Sequence, residues 1–168
     1  YGYMFTHPGK KLMFMGQEFG QTSEWSEADS VDWANLEGWG SEWHHGIKRL
    51  VRDLNRVYRS TPALWSQDFQ DQGFQWVKAD DSSNNMLGYV RYGSDGSALL
   101  AVCNFSGSTI ANYQLWVPRD GAWDLVINTD DAAYQGAGNE ISGQVHSANN
   151  SLEIFLPANS VQWYLFRG

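Results

Sequence analysis

The apolar residues of this chain change period once, at Ser60-Thr61-Pro62, and that change limits what the chain can fold into. Upstream, Ile47, Leu50, Val51, Leu54, Val57 and Tyr58 recur at helical spacing and draw one stripe along residues 41–59. Ser41 is placed to cap the start of this helix, with Glu42 in its first turn and Arg56 and Arg59 suiting the negative end of its dipole. The residue before a proline is pushed out of the α region, so Thr61-Pro62 ends it. Downstream the pattern alternates in short runs bounded by turn residues. Residues 74–77, 86–90, 98–105, 113–117, 123–127, 152–156 and 161–166 are the expected strands, and together they predict an antiparallel β-sandwich over 62–168. Tyr92-Gly93-Ser94-Asp95-Gly96 predicts a hairpin turn, because Asp-Gly supplies the positive φ of a tight turn, and Pro118-Arg119-Asp120-Gly121 predicts another. Residues 128–150 read as a Gly- and Asn-rich excursion with one weak strand near 144–146.

The opening of the chain follows a different logic. Leu12-Met13-Phe14-Met15 is a consecutive apolar run that stops at Gly16, as expected of a strand buried on both faces. Such a strand needs a neighbour on either side, and no second consecutive apolar strand followed by a helix occurs downstream. The chain therefore reads as the end of something larger. Without those neighbours, residues 1 to about 20 are expected to be disordered, repacked or shared with another copy. From Gly16 to about Gly40 runs a loop carrying Glu18, Glu24, Trp25, Glu27, Asp29, Asp32, Trp33, Glu37 and Trp39. That is too long for a plain connector and too rich in Trp for disorder, so an ordered functional loop is expected.

Charge and cysteine content narrow the function classes. With 11 Lys+Arg against 19 Asp+Glu the formal net charge is -8, which argues against a nucleic-acid partner, since tracking phosphates needs clustered cations. Aromatic residues make up 15% of the chain, nine of them Trp. Large rings serve a β core and also stack on neutral sugar rings, so each indole carries both readings. Trp65, Trp76, Trp116 and Trp123, in or beside strands, read better as core than as platforms. The single Cys103 excludes a disulfide-stapled module and lies in an apolar run that suits a buried, inert thiol. Neither a signal peptide nor a membrane span is evident, and a cytoplasmic setting is the expectation. No cofactor or metal is expected. His44 and His45 diverge by about 100° on a helix and do not converge on one ion, which leaves them a capping or packing role, and His7 and His146 are isolated.

A strand ending at Gly16, a loop bearing Glu18 and an amphipathic helix make up one βα unit of a (β/α)8 barrel, with the loop on the face where active sites sit. Residues 7–21, Val31-Asp32-Trp33 and residues 43–58 resemble the bacterial 1,4-α-glucan branching enzymes of the α-amylase superfamily. Asn104-Phe105, Ile127-Asn128-Thr129-Asp130 and residues 156–165 are similar to the carboxy-terminal β domain of that family, although Ala158-Asn159-Ser160-Val161 departs from its Pro-rich form. The resemblance implies a mainly β chain. Residues 1–61 would be the remnant of a catalytic barrel (strand 8, loop and final helix), and 62–168 an all-β carboxy-terminal sandwich.

For function, the resemblance implies a retaining glucanotransferase of glycogen synthesis that cuts an α-1,4 bond and rejoins the segment as an α-1,6 branch. Its catalytic carboxylates follow earlier barrel strands and would lie upstream of Tyr1, so no catalytic residue and no activity are expected in this chain alone. Glu18 could orient an active-site partner or a sugar hydroxyl, or could cap the following loop by accepting backbone N–H bonds. Trp25, Asp32 and Trp33 are the better candidates for glucan contact, a carboxylate for hydroxyls beside indoles for stacking. The expected partners are an α-glucan and the preceding part of the same enzyme, not nucleic acid or a membrane. Two other readings remain: a stand-alone carbohydrate-binding sandwich, or part of a trehalose-releasing or debranching relative.

Overall fold

The computed structural model describes all 168 residues. Two helices, α1 (Gly2–Thr6) and α2 (Ser41–Ser60), precede eight strands: β1 (Phe74–Asp81), β2 (Met86–Tyr92), β3 (Ala98–Asn104), β4 (Ile110–Trp116), β5 (Gly121–Asn128), β6 (Gln144–Ser147), β7 (Ser151–Leu156) and β8 (Ser160–Phe166). Every pairing is antiparallel. Six strands form one sheet in the order β1-β2-β3-β8-β5-β6, and β4 and β7 pair as a second sheet laid against it. Seven strands lie where the alternation places them, and β6 is the weak strand foreseen near 144–146.

Two apolar cores share the larger sheet. Ala98, Leu100 and Val102 of β3 point to one face and meet Leu115, Leu152, Ile154, Trp123 and Tyr164 between the two sheets. Leu99, Ala101 and Cys103 point to the other and meet Phe5, Leu54, Val57, Leu64 and Trp163 beneath the helices. Every residue of β3 is buried for this reason: a strand covered by a sheet on one side and helices on the other has no solvent face to mark with polar residues. Burial lifts the Cys103 thiol to about 12, so it stays protonated and unreactive.

The amino-terminal residues are repacked onto this second core. Phe5 and Thr6 are buried, Trp163 Nε1 donates to the Gly2 carbonyl at 3.1 Å, and the hydroxyls of Thr6 and Tyr89 lie 2.6 Å apart. The expected strand at 12–15 does not form. Both backbone groups of Phe14 turn to Gln17, its N–H donating to Gln17 Oε1 at 2.8 Å and its carbonyl accepting from Gln17 N at 2.9 Å. With no ladder partner, a turn satisfies these groups, and Leu12 is left 76% exposed.

Three smaller expectations are also corrected. The N-cap of α2 is Gly40 in the left-handed region, φ 85°, so Ser41 is the first helical residue. Pro118-Arg119-Asp120 makes no hairpin but carries the chain from the small sheet to the large one, with Asp120 Oδ1 accepting from Asn150 N at 2.6 Å. Among the indoles read as core, Trp123 is buried, whereas Trp65, Trp76 and Trp116 are each nearly half exposed.

Helix α2 docks through its apolar stripe, with Val51, Leu54 and Val57 buried. It also holds the first part, residues 128–140, of the 128–150 excursion. Gly46 lets Tyr134 approach so closely that a Cβ there would lie 2.7 Å from the Tyr134 carbonyl. Arg49 Nε donates to Ala133 O at 2.6 Å and Tyr134 OH to Asp53 Oδ2 at 3.0 Å.

Candidate loop site

The loop from Gly16 to Gly40 is ordered by its neck and by helix α2. Gly16 (φ 82°) and Gly20 (φ 66°) flank a 3-10 turn, Gln17–Phe19, and both adopt a conformation that L side chains disfavour. Phe19 is fully buried in this turn. The two adjacent histidines of α2 hold different parts of the loop: His44 Nδ1 is 3.0 Å from the Phe19 carbonyl, and His45 Nε2 is 3.1 Å from that of Leu36. Their divergence, which prevents convergence on a metal ion, lets one helical turn fix both ends of the loop.

Polar side chains then lace the neck. Gln21 Oε1 accepts from Asp32 N at 2.9 Å, Asn35 Oδ1 from Thr22 N at 3.1 Å, and Asn35 Nδ2 donates to Asp32 Oδ2 at 3.2 Å. Asp32 precedes a second 3-10 turn, Trp33–Leu36, whose first indole rests on Phe19 with ring centroids 5.6 Å apart and planes at 30°. Trp33 is 54% exposed on this support. Trp25, 53% exposed, is braced separately, edge-on against Phe14 at 5.3 Å and 87°.

The sequence candidates are thus gathered in part. Asp32 and Trp33 sit beside the turn that carries Glu18, while Trp25 stands with Phe14, and the two indoles do not pair with each other. Glu18 is exposed, and no loop N–H donates to its carboxylate, so the capping role is not the one it performs. The Tyr1 phenol donates to Gln17 O at 2.8 Å, and its pKa is raised first by burial and then by the Glu18 charge.

The sequence candidates do not include the supports, Phe19, Gln21 and Asn35, nor two further exposed indoles, Trp43 and Trp39, although the sequence places Trp39 in the loop, where it is wholly exposed. Trp39 had a visible signal: Gly38 and Gly40, both at positive φ, hold it away from the body of the loop. Exposed indole faces on a loop that also carries exposed carboxylates can stack on C–H faces and accept from hydroxyls. No three His, Cys, Asp or Glu side chains gather as a metal site.

Comparison with known proteins was informative at two ranges, the β domain and nearly the whole chain. Residues 76–167 match the family described as "Alpha amylase, C-terminal all-beta domain". Over nearly the whole length the chain is similar to proteins named 1,4-alpha-glucan branching enzyme GlgB. It is 48% identical to that of Corynebacterium diphtheriae over 98% of this chain, 49% to that of Corynebacterium glutamicum over 96%, and 47% to that of Mycobacterium tuberculosis over 96%. The chain spans 23% of the length of each of these relatives. Among solved structures, the α-amylase of Geobacillus thermoleovorans in complex with acarbose superposes with a TM-score of 0.67 at 15% identity, over 99% of this chain and 32% of that one. An Anoxybacillus α-amylase gives 0.63 at 17% identity over the same shares. At such identity the likeness concerns the fold alone.

Proposed function

The chain belongs to the family of the α-amylase C-terminal all-β domain, and on that footing we propose that it is the carboxy-terminal part of a 1,4-α-glucan branching enzyme. The observation that carries this reading is the extent of the 47–49% identity, which takes in not only the β domain but also the Gly16–Gly40 loop and α2 that precede it. On this reading residues 1–61 are the closing unit of a catalytic barrel and 62–168 its carboxy-terminal sandwich.

A retaining transfer from an α-1,4 to an α-1,6 linkage needs a carboxylate nucleophile and a carboxylic acid/base about 5–5.5 Å apart. The preceding part of the enzyme supplies that pair. This chain contributes contacts to the glucan: Trp33 on its Phe19 support and Trp25 on Phe14 offer stacking faces, and Asp32 and Glu18 accept hydroxyl hydrogen bonds. Its partners are an α-glucan and the rest of the enzyme, with no part for nucleic acid, membrane or cofactor, and its setting is the cytoplasm. No helix is long and apolar enough to cross a membrane.

Two assays test the reading. The chain incubated with amylose should yield no α-1,6 linkages, and new branches would overturn the placement of the catalytic pair elsewhere. In affinity electrophoresis the chain should be retarded by glycogen, and the double variant Trp25→Ala/Trp33→Ala should lose most of that retardation. Unchanged migration of the variant would remove the loop from the glucan surface.

A further inference from the structure

The segment between Trp65 and Gly73 is held with unusual firmness for a surface loop. Arg91 of β2 is fully buried and reaches into it from below, donating to Leu64 O at 3.4 Å, to Gly73 O at 3.2 Å and to Asp68 Oδ1 at 2.6 Å. Its remaining Nη1 donates to Thr6 O at 2.6 Å. The other Asp68 oxygen accepts from Gly9 N at 3.1 Å, and the Asp68 side chain is 9% exposed. Gly73 tightens the loop further: a Cβ there would lie 2.1 Å from the Gln67 carbonyl. A buried guanidinium needs this many acceptors to offset its desolvation, and the outcome is a loop of fixed shape.

What that fixed loop presents is an exposed ring. Phe69 is 80% exposed and lines a groove of about 360 Å3 with Phe74 and the polar groups of Asp68, Gln70 and Asp71. Trp76, nearly half exposed, continues the aromatic surface, packed edge-on against Phe74 at 5.0 Å and 88°. Gln72 donates to Gln70 Oε1 at 2.8 Å, which orients the Gln70 amide with its nitrogen free. Each Asp68 oxygen keeps a lone pair after its internal bond, and Asp71 is exposed.

Resting on the glucan reading above, we infer that this groove is a second, separate α-glucan contact, with a glucose ring stacked on Phe69 and its hydroxyls bound by Asp68, Asp71 and Gln70. A neutral ligand fits better than a cation or an anion. Asp68 is already neutralised by Arg91, Asp71 is a single carboxylate with no second one free beside it to hold a cation, and Gln70 adds the two N–H donors of its amide beside an apolar face. Rigid presentation lowers the ordering cost of binding, which suits a shallow site that holds a long chain while chemistry proceeds elsewhere.

Titration of the 15N-labelled chain with maltoheptaose reads the two sites separately, the groove through the backbone amides of Phe69, Gln70 and Asp71 and the loop through the indole N–H signals of Trp25 and Trp33. Saturable shifts at the groove amides, with affinity reduced roughly tenfold in Phe69→Ala and also reduced in Asp71→Asn, are the expected result. Both side chains are exposed, so the variants keep the fold, which their unperturbed spectra would confirm. Shifts at the indoles alone overturn the groove and leave the loop reading in place. Shifts at the groove alone do the reverse, and silence at both overturns both.

Discussion

Arg91 is a buried charge on which four acceptors from two segments, Thr6 and residues 64–73, converge, and its single counter-ion makes the cost of disturbing it calculable. Removing Asp68 leaves the guanidinium uncompensated, so Asp68→Ala should destabilise the chain by about 3–5 kcal/mol in urea unfolding. Asp68→Leu/Arg91→Met, which removes both charges, should recover a large part of that loss. A second carboxylate acts through pH. Asp81 accepts from Tyr113 OH at 2.6 Å and from Asn84 and Ser83, and these bonds, that of Tyr113 foremost, hold its carboxyl at about 2 against an ordinary 3.8. A depressed carboxyl pKa contributes stability in full above the unfolded value. The contribution is therefore lost as pH falls from 3.8 towards about 2. Acid titration of stability should show this loss in the native chain and a smaller one in Tyr113→Phe.

At the scale of elements, legibility followed the partner each segment has. Strands β4 and β7 alternate because one neighbour is core and the other solvent, and their periods could be read directly. The apolar run at 12–15 shares the consecutive pattern of β3, yet only β3 has strands at both edges and cover on both faces. Periodicity reports burial preference, not whether a ladder partner exists. Helix α1 was illegible for a related reason: five residues carry no period, and bonds from Tyr89, Arg91 and Trp163, remote in sequence, fix it in place. In the candidate loop the chemistry-bearing residues could be named from their types. Their supports could not, because Phe19 and Gln21 matter through contacts that only folding creates. Docking of α2 on residues 128–140 turns on Gly46. Alanine there improves helix propensity by about 1 kcal/mol, but its Cβ meets a backbone carbonyl, so Gly46→Ala should lower stability by a net of about 1–2 kcal/mol in thermal or urea unfolding.

For the whole molecule, the larger sheet lies between two cores, one closed by β4 and β7 and the other by the helices. Neither cover can leave without exposing the central strand, so residues before and after Pro62 should unfold together. Calorimetry should show one transition, and two resolved transitions would mean that the helical layer is held independently of the sandwich. The same arrangement fixes the loop of Glu18, Trp25, Asp32 and Trp33 relative to the β domain, since α2 grips the loop through His44 and His45 and the sheet through Leu54 and Val57. If this chain is the carboxy-terminal part of a branching enzyme, it should serve that role inside a related one. The most direct measurement exchanges it for the aligned segment of the Corynebacterium glutamicum branching enzyme and follows α-1,6 anomeric protons by NMR during incubation with amylose. The account predicts that the folded chimera forms branches. A folded chimera that only hydrolyses amylose, or leaves it unchanged, would contradict it.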